Sequence, residues 1–149
     1  MLGNQGRRKG REVRLGLVMY GGVSLAIYIN GIANELFRAV RGRGTYRLLK
    51  AITDSDVIVD VLSGSSAGGI NGVLLAYALC NEREFGGSSK LWREHGDIGG
   101  LMRGIDEPLD SYQSLLDSEG KYEPWLKEAF DKLDEARIDE SEREDKSSF

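Results

Sequence analysis

Val57-Ile58-Val59-Asp60-Val61-Leu62-Ser63-Gly64-Ser65-Ser66-Ala67-Gly68-Gly69-Ile70-Asn71-Gly72-Val73-Leu74-Leu75-Ala76-Tyr77-Ala78-Leu79 is the stretch that decides the fold. An apolar run of strand length, Val57–Leu62, enters a cluster of small residues, Ser63–Gly69. A longer apolar run of helical length, Ile70–Cys80, leaves it. Small residues between a buried strand and a buried helix make a tight turn. The pattern Gly64-Ser65-Ser66-Ala67-Gly68 has the spacing of a nucleophile elbow, which holds a serine hydroxyl exposed at a helix N-terminus. Ser66 is therefore a candidate nucleophile, with Gly64 and Gly68 as the elbow glycines.

The same pattern recurs upstream. Val13–Tyr20 reads as a buried strand, Gly21-Gly22-Val23-Ser24 as a glycine turn, and Leu25 to Arg41 as a helix. Leu25, Ile29, Ile32, Ala33, Leu36, Phe37 and Val40 form its apolar face, Ser24 its expected N-cap, and Gly42 and Gly44 its stop. Tyr46–Ile52 is expected as a short helix, Ser88–His95 as another, and Glu123-Pro124 as the start of a third. Strands alternating with helices predict an α/β fold, a parallel sheet flanked by helices. In such sheets functional loops gather at the strand carboxyl ends, so the two glycine turns are expected side by side.

Composition sets the class. The chain has 149 residues, 40% apolar and 30% charged, which describes a globular domain with a core. There is no run of ~18 uncharged apolar residues and no secretory h-region after Arg7-Arg8-Lys9, so a cytoplasmic protein is expected, with peripheral membrane contact allowed. The lone Cys80 excludes an internal disulfide, and its apolar setting predicts a small buried side chain. The net charge of −4 conceals an asymmetry. Residues 1–50 carry Arg7, Arg8, Lys9, Arg11, Arg14, Arg38, Arg41, Arg43, Arg47 and Lys50 against Glu12 and Glu35, whereas residues 106–149 are strongly acidic. A basic third suits anionic headgroups. It lacks the interleaved aromatics of a nucleic-acid platform, so no nucleic-acid partner is expected. Residues 1–12 are expected to be a disordered basic N-terminus, 13–136 the folded part and 137–149 a charged, disordered tail.

A serine nucleophile needs oxyanion donors and a base. The backbone amides of Gly21, Gly22 and Val23 on the first turn, and of Ala67 after the serine, are the expected donors. No cofactor and no metal is implied. The base is the missing part. The sole histidine, His95, in Trp92-Arg93-Glu94-His95-Gly96, reads as a residue at a helix C-terminus, where positive charge is favoured. A serine–acid–histidine order along the chain would need an acid between Ser66 and His95; no aspartate stands there, and Glu82 and Glu84, which do, sit close before the histidine in a polar loop.

The segments Leu15-Gly16-Leu17-Val18-Met19-Tyr20-Gly21-Gly22-Val23-Ser24-Leu25-Ala26 and Leu62-Ser63-Gly64-Ser65-Ser66-Ala67-Gly68-Gly69-Ile70-Asn71-Gly72 resemble the patatin-like phospholipase family. Tyr20–Leu25, followed by Ile29-Asn30-Gly31-Ile32-Ala33-Asn34-Glu35-Leu36, is similar to its bacterial patatin-related branch. The resemblance covers roughly residues 13–80. It implies a three-layer fold and a serine acyl hydrolase that cleaves lipid acyl esters with a Ser-Asp dyad and no histidine. Ser66 matches the nucleophile, and Gly21 and Gly22 match the oxyanion loop. Two departures stand out. The loop lacks the family's first glycine, its basic residue and its last glycine. The dyad aspartate belongs to an Asp-Gly motif that occurs nowhere in this chain; Asp97-Ile98-Gly99-Gly100 is the nearest approach. The expectation is an N-terminal fragment of a longer enzyme, inactive alone for want of its base.

Two other classes of function fit parts of the pattern. Gly64 and Gly69 have the spacing of a phosphate-binding loop, but Ile70-Asn71 stand where Lys-Ser/Thr is needed. A non-catalytic interaction protein that keeps the fold without the dyad is the alternative.

Overall fold

The computed structural model describes residues 10–22, 25–95 and 117–138. Strand β1 (Arg11–Met19) is followed by helices α1 (Ala26–Arg41) and α2 (Thr45–Thr53). Strand β2 (Ser55–Gly64) leads into α3 (Ala67–Cys80), then α4 (Ser88–His95). A π-helical turn (Ser118–Tyr122) precedes α5 (Glu123–Glu135). The fold is mixed α/β: β1 and β2 form a parallel two-stranded sheet, joined by a helical crossover and flanked by helices.

The register places Leu15 against Val59, then slips so that Gly16 faces Val61 and Met19 faces Gly64. Asp60 is the extra residue of this bulge. Its carboxylate accepts two 2.9 Å bonds from the Arg14 guanidinium across the sheet. Past the bulge, alternation sends Leu17 and Met19 with Leu62 toward the helices, and Val18 with Val61 to the other face. Both strands end at one level, where Ser65 N–H donates to the Met19 carbonyl at 3.1 Å.

Helix α3 carries no charged residue, and a helix apolar on all sides belongs in the interior. It packs against α1, β2 and α5. Ala33 and Phe37 of α1, Leu74, Leu75 and Ala78 of α3, and Ala129 and Leu133 of α5 close the main core with Phe85 and Ile138. A second cluster, Ala26, Ala67, Trp92 and Trp125, lies at the N-terminal ends of α1 and α3. Helix α1 ends as expected at Gly42, whose left-handed backbone (φ 61°, ψ 42°) lets Arg43 N–H reach the Arg38 carbonyl at 2.9 Å.

Some expectations change. Strand β1 begins at Arg11, so Arg11 and Glu12 belong to the sheet and not to a disordered arm. Residue 25 caps α1 without a side-chain bond, and the expected cap Ser24 lies outside the described residues. Cys80 is exposed, because it is the last residue of α3 and falls beyond the packed turns. Ile138, placed by sequence in the charged tail, is buried against the core, and its N–H donates to the Glu82 carbonyl. Among the described residues no helix is long and apolar enough to cross a membrane.

Candidate functional site

The Gly21-Gly22 turn and the elbow lie against each other at the carboxyl end of the sheet. Gly21 N–H donates to Ser65 Oγ at 3.1 Å. A Cβ at Gly21 would fall on the Ser65 carbonyl and 2.6 Å from Ser66 Cβ, so only glycine allows this approach. The elbow is as tightly constrained. A Cβ at Gly64 would stand 2.6 Å from the Gly68 carbonyl carbon, and one at Gly68 would overlap the Met19 carbonyl oxygen. The two motif glycines thus let the start of α3 close onto the ends of both β2 and β1 with almost no gap.

Ser66 sits at the N-cap of α3 with φ 50° and ψ −129°. An L-residue avoids this region, which costs on the order of 1–3 kcal/mol. Gly44 takes nearly the same conformation, φ 56° and ψ −129°, at the N-cap of α2. Where only backbone geometry is needed, the chain uses glycine; at the elbow it keeps a serine side chain. Ser66 is exposed, and among the described residues its hydroxyl has no hydrogen-bond partner.

The expected oxyanion donors divide. The Gly21 amide is already engaged by Ser65. The Gly22 and Ala67 amides make no hydrogen bond among the described residues, and Ala67 opens α3 at its positive dipole end. Val23 lies outside the described residues, as does Asp97. His95 is the last residue of α4. Glu84, between Ser66 and His95 in sequence, is held by Arg43 at 2.5 and 2.6 Å and is committed to a structural pair. No group of three His, Cys, Asp or Glu residues among those described could hold a metal ion.

Sequence reasoning passed over the polar layer beneath the elbow. Asn71 and Asn30 are buried, and Asn30 Nδ2 donates to Asn71 Oδ1 at 2.9 Å. Trp92 Nε1 donates to the same oxygen at 2.9 Å, and Asn30 Nδ2 reaches Ser88 Oγ at 2.9 Å. The available signal was an asparagine on the otherwise apolar α3, one turn after Ala67.

No protein-family model matches the chain, and no solved structure matches it. Over 123 residues it is 36% identical to an uncharacterized membrane protein of Mycobacterium tuberculosis, a match that covers 67% of this chain. The chain spans 11% of the length of that relative.

Proposed function

We propose that this chain carries the nucleophile half of a patatin-like serine acyl hydrolase, of three-layer fold, acting on lipid acyl esters. The observation that carries the reading is the backbone of Ser66, held at φ 50° and ψ −129° between β2 and α3. Strain of this kind persists where the side chain it presents is needed. In the proposed reaction Ser66 Oγ attacks the ester carbonyl and a carboxylate takes its proton. The Gly22 and Ala67 amides donate to the oxyanion. The alcohol leaves, and water then releases the acyl group and regenerates the serine. The base is proposed to come from sequence beyond these 149 residues, because the chain holds no Asp-Gly dipeptide to match the family's dyad. The basic first third suits peripheral contact with anionic headgroups.

The test is reaction with a fluorophosphonate probe, with the adduct located by mass spectrometry. A form extended by its native downstream sequence is expected to label at Ser66 and to lose the label in Ser66→Ala. The 149 residues alone are expected to label weakly or not at all and to turn over no ester. An extended form that never labels rejects the hydrolase reading. Ester hydrolysis by the 149 residues, abolished in Ser66→Ala, rejects the missing base. The alternative, a non-catalytic interaction protein, draws on one observation: among the described residues the Ser66 hydroxyl has no partner.

A further inference from the structure

We infer that Asn71 is a positioning residue that clamps the nucleophile elbow to the glycine turn; its bearing on the chemistry rests on the hydrolase reading. The side chain spans the first turns of both helices. Asn71 Nδ2 donates to the carbonyl of Ala67 at 3.0 Å and, more weakly, to that of Ala26 at 3.4 Å. Ala67 opens α3 directly after Ser66, and Ala26 opens α1 directly after the turn in which Leu25 N–H donates to the Gly22 carbonyl at 3.0 Å. One carboxamide therefore ties together the two segments that carry the Gly22 and Ala67 amides, which make no hydrogen bond among the described residues.

The carboxamide is itself immobilised. Asn71 Oδ1 accepts from Asn30 Nδ2 and from Trp92 Nε1, each at 2.9 Å. Asn30 is held in turn by Ser88 and by Ser89, whose Oγ donates to Asn30 Oδ1 at 2.6 Å. Asn71 is 0% and Asn30 1% exposed, and both donors and both acceptor positions of Asn71 are filled. A buried amide so fully satisfied has one orientation. An apolar side chain at 71 would fill the same space without holding either carbonyl. The layer thus fixes the distance between the oxyanion donors and Ser66, and misplacement of such groups by an ångström costs on the order of 10²-fold in rate.

The experiment is backbone amide exchange, followed by NMR, on the protein and on Asn71→Leu. A clamp predicts exchange at Gly21 and Ser65 faster by about tenfold or more relative to Leu133 in the main core. A side chain that only fills the core would speed all three equally, and that result, or no change, overturns the proposal. Wild-type exchange against denaturant needs no variant. Gly21, Ser65 and the Asn71 carboxamide are expected to share one opening curve, and a Gly21 that opens while the carboxamide stays protected overturns the clamp even if Asn71→Leu fails to fold. Probe labelling of Ser66 is read separately. Failure to label an extended form rejects the hydrolase reading, whereas uniform exchange rejects the clamp and leaves that reading standing.

Discussion

Ser66 stores backbone strain that a glycine would not. Ser66→Gly is expected to raise stability by about 1 kcal/mol, the lower end of the cost of such a conformation after the entropy of glycine is deducted. The urea midpoint checks it, and an unchanged or lower midpoint would contradict the strain. Gly68 has the opposite sign. Its Cβ would overlap the Met19 carbonyl oxygen, so Gly68→Ala must push β1 and α3 apart. The expected loss is about 3 kcal/mol, read from thermal or urea unfolding. At this scale Ser66, Gly64 and Gly68 were legible, because spacing alone encodes a turn that small residues close. The engagement of the Gly21 amide by Ser65 Oγ was not legible, since it depends on where two distant turns meet.

Elements pair through contacts that titrate. Tyr77 on α3 donates its hydroxyl to Asp134 on α5 at 2.6 Å and stacks edge-on against Phe130 with centroids 5.2 Å apart. The bond to Asp134 raises the Tyr77 pKa above its ordinary value of 10.0, with desolvation acting in the same direction. The stability from this link is fully present below pH 10 and is lost as the pH rises through the raised value. Urea midpoints at about pH 8 and about pH 11 should fall less in Tyr77→Phe than in the parent. At the sheet, hydrogen bonding to Arg14 lowers the Asp60 pKa below 3.8, so that pair contributes above the carboxylate range and is lost as pH falls through the lowered value. Asp60→Asn should flatten the acid limb of the same titration. Helix and strand types followed from period and composition. The bulge at Asp60 did not, because it is a register event between strands about forty residues apart in sequence.

Over the whole molecule, the described residues place helices on one face of a two-stranded parallel sheet. Parallel sheets are ordinarily covered on both faces. Here Val18 is 65%, Val61 60% and Tyr20 79% exposed on or beside the sheet. The protein is therefore expected to bind the dye ANS and to associate reversibly with rising concentration. The double variant Val18→Thr, Val61→Thr should reduce both, as followed by fluorescence and sedimentation velocity. Equal dye binding by parent and variant would place the sticky surface elsewhere.

The sequence by itself determined the alternation of strand, glycine turn and helix, and the burial of α3. Each of these follows from local size, polarity and period. Only the tertiary structure decided that, among the described residues, the Gly22 and Ala67 amides make no hydrogen bond while the Gly21 amide does, that Cys80 is exposed, and that Asn71 joins the two turns. Those outcomes depend on which surfaces meet. Local preference does not encode the distance between groups that folding brings together from opposite ends of a crossover.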